Sequence, residues 1–170
     1  MSESRILNPR ILKGLHSLGH TGQVLVTDAG FPIPAGVPIV DLSLIPGIPL
    51  VTQILEAVKS EIYVEKVTFA PEVKTHNPEL YQQVQNIYTG SGAEFESCSH
   101  ENLCEVEGPR AKFIIRSGDL QPWGNFLLTA STDPFAWFTD ESVDRGLKIL
   151  PDYVERRKRI HDNVVPDLQL

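Results

Sequence analysis

The chain is poor in several features that define large classes of protein. Its 170 residues include 2 cysteines, Cys98 and Cys104, too few for a disulfide framework or a cysteine-built zinc site. They read as reduced thiols, with Cys98 packed. No apolar run is long enough to span a bilayer, and the opening MSESRILNPR lacks the apolar core of a signal peptide. A cytoplasmic protein with no membrane partner is expected. Positive charge is in deficit: 15 basic against 22 acidic residues leave a formal net charge of −7, which disfavours nucleic acid or an anionic surface as partner. Internal repeats and low-complexity segments are absent. Thr89-Gly90-Ser91-Gly92 has the glycines of a phosphate loop, but no lysine follows and a helical pattern precedes it, so it reads as an ordinary loop.

What is present is enough apolar material, 41%, for one domain with a proper core. Asn8-Pro9 is a cap followed by a proline suited to the first helical turn. Ile11, Leu12, Leu15 and Leu18 then recur at helical spacing, and Gly19 is placed to end the helix. Residues 23–27 read as a strand and 37–40 as a short extended piece ending at Asp41. Pro49 opens a helix with Val51, Ile54, Leu55 and Val58 on one face. Tyr63 to Phe69 reads as a strand, Asn77-Pro78 starts a helix through about Tyr88, and 93–98 reads as a strand. Ser99 caps a short helix to about Val106, and Gly108-Pro109 marks a turn. Residues 112–116 and 125–129 are the last strands, close enough along the chain to pair antiparallel. Alternating strands and helices predict an α/β fold on a mixed, mostly parallel sheet.

Residues 133–170 differ in character. Asp133-Pro134 breaks the chain, and Phe135, Trp137 and Phe138 form an aromatic cluster expected to dock the tail. A helix is expected from Thr139 to Leu150 and another from Pro151 to about His161. The run Glu155-Arg156-Arg157-Lys158-Arg159 suits either a phosphate contact or a solvated helix face; on an acidic protein the solvated face is the expectation.

Around the first strand, His20 and Asp28 bracket Val24 to Val26, and Ala29-Gly30-Phe31-Pro32-Ile33-Pro34 follows as a stiff turn-rich support. Taken alone, His20 reads either as a helix-terminal histidine or as a proton-transfer group, and Asp28 as a turn cap or a ligand-binding carboxylate. The segment GHTGQVLVTDAGFPIP resembles the signature of the D-ribose pyranase / L-fucose mutarotase family. IPGIPLVTQIL (45–55), EVKTHNPEL (72–80), the His100 region and IRSGDLQPWGNFLL (115–128) resemble further family segments in the same order. The likeness covers roughly residues 5 to 130 and lies nearer the ribose branch, through DAGFPIP in place of the fucose branch's DAHFP; it does not extend past about 133.

The resemblance implies an α/β/α sandwich (residues 1–132) assembled into a ring, a decamer of stacked pentamers; residues 133–170 read as an added helical extension docked on that domain or on a neighbouring subunit. It implies a cofactor-free isomerase that interconverts pyranose and furanose forms of a free aldose, D-ribose, with mutarotation of an L-fucose-type sugar or sugar binding without turnover as the alternatives. Such chemistry needs two proton transfers and no metal or redox step, and a histidine suits it. The family pattern makes His20 the proton-transfer residue, and Asp28, His100, Trp123, Gly124 and Asn125 the groups that hold the sugar. His76 also matches a family histidine, although its capping context is equally structural. Trp123 departs from the family's tyrosine: an indole donates only through its N–H and cannot accept as a phenol can. A plain strand over 23–27 would put its ends roughly 16 Å apart. His20 and Asp28 therefore share a site only if the Thr21-Gly22 turn or the Asp28 loop folds back, or if neighbouring subunits combine them, as the resemblance implies.

Overall fold

A computed structural model of the chain describes residues 6–137 and 146–161. Helix α1 (Pro9–His16) starts where the Asn8 side chain accepts from the N–H groups of Arg10 and Ile11, at 2.9 and 3.4 Å. It closes at Ser17, whose N–H reaches the carbonyls of Lys13 and Gly14, so the stop expected at Gly19 is not used. Gly19 instead accepts from Gly22 at 2.8 Å in the turn that carries His20. A Cβ on Gly22 would lie 2.9 Å from that carbonyl oxygen, which restricts the position to glycine.

Six strands, β1 (Gln23–Thr27), β2 (Ile39–Asp41), β3 (Tyr63–Phe69), β4 (Glu94–Ser97), β5 (Phe113–Arg116) and β6 (Phe126–Ser131), form one sheet in the order β2-β5-β1-β6-β3-β4. Only β6 runs against the rest, antiparallel to both β1 and β3. The expected pairing of the last two strands does not occur. β1 lies between them, with Leu25 opposite Ile114 on one side and Leu127 on the other. The β5–β6 connection therefore crosses the end of β1 and is stitched to it: Ser117 N–H donates to Thr27 O, and Ala29 N–H to Asp119 O, both at 2.9 Å.

Alternation along the central strands sorts their side chains onto two faces. Val24, Val26, Phe113, Ile115, Phe126 and Leu128 join one cluster, under α1, α2 (Val51–Lys59) and α4 (Pro78–Tyr88). Leu25, Ile114 and Leu127 join the other, with Phe31 and Leu103. Each such side chain, fully buried, contributes about 1.5–3 kcal/mol. α3 (Glu72–His76) precedes α4, which Asn77 caps as expected. The second face is covered by α5 (His100–Asn102), which passes through a π turn (Leu103–Glu107) into α6 (Gly108–Arg110). Gly108-Pro109 is thus helical rather than a turn, because proline fits a first helical turn that needs no N–H there. The α/β/α sandwich on a mixed sheet is as expected. Among the described residues no helix is long and apolar enough to cross a membrane.

Beyond the sheet, α7 (Pro151–Arg159) packs back on the domain. The helix expected from Thr139 to Leu150 lies largely outside the described residues, and 147–150 are not helical. The basic run is not the solvated face that composition suggested. Arg156 is only 6% exposed and donates to Ser131 Oγ, the Thr132 carbonyl and Glu65. Arg157 donates to the carbonyls of Pro134 and Trp137, and Arg159 to that of Gly92 while pairing with Glu94. Glu155 and Lys158 keep the solvated character, and Arg159 remains partly exposed beside its partners. Of the aromatics, Phe135 and Trp137 are about half exposed, the Arg157 guanidinium lies 5.7 Å from the Phe135 ring centre, and Phe138 lies outside the described residues. The arginines and the buried Tyr153 do the docking, because long donors can reach the carbonyls left open where β6 ends.

Candidate active site

Because β6 is antiparallel to β1, the end of one strand meets the start of the other, with Val26 opposite Phe126. That places Asp28 against Asn125, 97 residues later in the chain. Asn125 Nδ2 donates to Asp28 Oδ2 at 2.9 Å, and the Asp28 N–H donates to Asn125 Oδ1 at 3.1 Å. This reciprocal pair fixes the amide's orientation. Gly30 N–H adds a bond to Asp28 Oδ1 at 2.9 Å. Burial pushes the Asp28 carboxyl above its ordinary range, and hydrogen bonds from Asn125, Gly30, Phe31 and Gly124 pull the other way without prevailing. Gly124 sits behind the pair rather than on the pocket wall. A Cβ there would lie 3.1 Å from the Gln121 carbonyl and 3.5 Å from Asp28 Cβ, so its smallness serves the loop's close approach to Asp28.

The pocket over this pair encloses about 380 Å³ and is lined by Asp28, Phe31, His100, Gln121, Trp123 and Asn125, among others, a size at the small end for ligand sites. The indole of Trp123 meets the His100 ring edge-on, with centroids 5.0 Å apart, and lies 6.2 Å from the His76 ring. Trp123 holds a left-handed φ of 66° while its carbonyl accepts from Asn125 N–H at 2.9 Å. This bend aims the ring at the cleft and keeps Asn125 against Asp28. His100 Nε2 lies 3.4 Å from Cys104 Sγ. Its Nδ1 is buried with no hydrogen-bond partner among the described residues, a polar atom that a ligand hydroxyl would satisfy. Both thiols, Cys98 and Cys104, are free and pushed up by burial.

Sequence reasoning did not single out Asp119. It is 1% exposed, accepts from Val51 N–H at 3.0 Å and Gln121 N–H at 3.0 Å, and so ties the α2 N-terminus to the pocket loop. Its signal was faint, because the acceptor and the helix it caps are 68 residues apart.

His20 is not in this pocket. It lies beyond the opposite end of β1, in the turn held by Thr21 N–H to Ala130 O at 2.9 Å. Its Nε2 is 3.1 Å from Glu65 Oε2, and its ring centroid is 6.2 Å from that of Tyr153. The sequence thus brings Asp28, His100, Trp123 and Asn125 to one cavity wall, with Gly124 behind it and His20 beyond the opposite end of β1.

A mixed-sheet α/β protein with a small cavity, walled by a carboxylate, a carboxamide and aromatic rings at the β1–β6 junction, is the class that fold and site define. The model of the RbsD / FucU transport protein family matches residues 1–132, and the chain belongs to that family. D-ribose pyranase 2 of Rubrobacter xylanophilus is 38% identical over 157 residues, 92% of this chain and 97% of that one. At that length the match reaches past residue 132, so the tail has a counterpart there, contrary to the sequence expectation. The D-ribose pyranase of Bacillus subtilis is 38% identical over 130 residues, 76% of this chain and 97% of that one. The structure of B. subtilis RbsD complexed with D-ribose superposes with a TM-score of 0.73, covering 78% of this chain and 99% of that one at 38% identity. The fucose mutarotase of Streptococcus pneumoniae, in complex with L-fucose, shares the fold at a TM-score of 0.65 and 17% identity, covering 76% and 96%.

Proposed function

We propose that the protein interconverts the pyranose and furanose forms of a free aldose, D-ribose, by acid–base ring opening without a cofactor. The observation that carries this reading is the Asp28–Asn125 pair beside His100 and Trp123, in a chain 38% identical to D-ribose pyranases over most of its length.

A base takes the proton of the anomeric hydroxyl, C1 becomes a carbonyl, the bond from C1 to the ring oxygen breaks, and that oxygen takes a proton. The hydroxyl on C4 then attacks C1 and the protons return, which closes the smaller ring. Asp28, held by Asn125 and Gly30, accepts from sugar hydroxyls. Asn125 has a second amide hydrogen and a second lone pair to offer. His100 meets a hydroxyl through its unpartnered Nδ1, and Trp123 presents an apolar face to the sugar's C–H side. Gly124 lets this wall close up behind Asp28. His20 transfers the proton. It lies at the far end of β1 from the cavity of its own chain, so it serves the cavity of a neighbouring subunit in a ring, here taken as a decamer. Residues 1–132 form the sugar-handling domain and 133–170 an extension of it, in a protein working in the cytoplasm.

Exchange NMR on D-ribose tests the reading, because ribose populates both ring sizes and both anomers. Accelerated pyranose–furanose exchange, lost in His20→Ala, is the expected result. Exchange for L-fucose and none for D-ribose would move the assignment to mutarotation. Tryptophan quenching by ribose with no exchange would leave a binding protein. Light scattering checks the ring: a monomer with full activity would overturn the shared site.

A further inference from the structure

Glu65 stands at a break in the sheet. Along β3 the register with β6 runs Val64 opposite Ala130 and then Lys66 opposite Thr129, so Glu65 is the extra residue of a β-bulge. Bulges re-aim a side chain away from the regular pleat. Here the re-aimed carboxylate meets two partners at the same oxygen, Oε2: His20 Nε2 at 3.1 Å and Arg156 Nη1 at 3.3 Å. A carboxylate can only accept, so the contact with His20 requires the proton on Nε2, and in the neutral ring the lone pair is then on Nδ1.

Arg156 comes from α7, past the residues matched by the family model. It is fixed independently of Glu65. Ser131 Oγ and the Thr132 carbonyl accept from it, and its guanidinium lies 5.3 Å from the Tyr153 ring centre. Tyr153 is locked in turn by a 2.5 Å hydrogen bond to Thr132 Oγ1, and the same ring walls the His20 imidazole. A free glutamate on a sheet surface samples several rotamers. One bonded to an anchored guanidinium does not.

We propose that Arg156 and Glu65 are positioning residues for His20: Arg156 holds the Glu65 carboxylate where it accepts the His20 Nε2–H, and Nδ1 is thereby presented as the basic nitrogen. The tail is then a working part of the site. This rests on the reading of His20 as the proton-transfer group.

The test uses full-length variants in ribose-exchange NMR, with long-range 1H–15N spectra of the His20 ring. Arg156→Met keeps the apolar stem and is expected to lower kcat about 10-fold or more, as misplacement of a catalytic group does, with KM within about twofold. Glu65→Gln is expected to do the same and to mix the His20 tautomers. The double variant should be no worse than the poorer single one, because both act through one contact. Arg156→Lys should recover part of the loss. Arg159→Met is the control for docking alone, since Arg159 ties the same helix to Gly92 and Glu94 without touching Glu65; its kcat should stay within about twofold of wild type. Equal losses in Arg156→Met and Arg159→Met would reduce the tail to a clamp and overturn the proposal, as would a wild-type spectrum with the His20 proton on Nδ1. His20→Ala separates the two readings. If it retains exchange, His20 itself is misassigned; if it loses exchange while Arg156→Met keeps wild-type kcat, only the tail's part falls.

Discussion

The two ends of β1 are built on opposite plans. At the Thr27 end, Asp28 is locked by backbone N–H groups and by an asparagine that is 3% exposed. Every contact there comes from strand pairing and from the loop stitched across it. At the Gln23 end, His20 keeps a side chain 46% exposed and is held by one carboxylate, itself held by an arginine from another element. One end obtains its geometry from the backbone ladder, which brings Asn125 to Asp28, and the other from a relay of side chains that runs from the tail helix through β3. Ladder geometry tolerates little backbone change, whereas a side-chain relay can be edited one residue at a time and still leave the fold intact.

The sharpest way to break the first end is through its backbone. A Cβ on Gly118 would sit 2.1 Å from the Ile48 carbonyl oxygen and 2.7 Å from that of Ile45. Gly118→Ala should therefore cost roughly 3 kcal/mol or more, the upper range for overpacking, read as a lowered urea midpoint. Asp28→Asn comes next. It puts an amide where Asn125 Nδ2 and Gly30 N–H donate, and ribose exchange should fall on the order of 100-fold with little change in the far-UV CD spectrum. Retained exchange would mean that the buried carboxyl is only structural. Trp123→Ala should raise KM about 10-fold, ~1.4 kcal/mol, and leave the His20 end's spectra unchanged.

The smallest effect belongs to the second end. Burial, with the bond to Asp133, pushes the Tyr63 hydroxyl up to about 12. The folded state thus holds this proton more tightly than the unfolded chain, whose tyrosine titrates near 10. The stabilisation is fully present below pH 10 and is lost as pH rises from there through about 12. Tyr63→Phe should flatten that alkaline decline, measured by thermal melts between pH 9 and 12. An equal decline in the variant would exclude Tyr63 as its source.

How far each end could be read from the sequence follows from the same contrast. Local signals carried their elements well: Asn8-Pro9 and Asn77-Pro78 mark α1 and α4, and β3 spans Tyr63–Phe69 as its pattern implies. Asp28, His100, Trp123 and Asn125 were legible as one sugar-holding set through family motifs, but not from local pattern, because their meeting depends on β6 pairing with β1 across about a hundred residues. A short loop between β5 and β6 suggests a hairpin, and nothing local announces that an earlier strand inserts between them. Glu65 and Arg156 carried no signal at all. A bulge depends on register with another strand, and a basic run looks solvated until the carbonyls it reaches are known. Gly19 and Gly108-Pro109 misled for a related reason: backbone bonds from Ser17, and the helical turn around Pro109, settled those boundaries without them.

The insertion of β1 between β5 and β6 also dictates the order in which the molecule can be made. β1 is complete once residue 27 has emerged from the ribosome, yet both its neighbours lie past residue 112. Until then its Val24, Leu25 and Val26 have neither ladder partners nor the sheet that buries them. The nascent chain therefore carries an open, apolar strand for most of its synthesis, the kind of segment that pairs with the wrong neighbour when crowded. Closure waits for the last strand of the sheet, and so does the pocket, whose two central residues, Asp28 and Asn125, are made 97 residues apart.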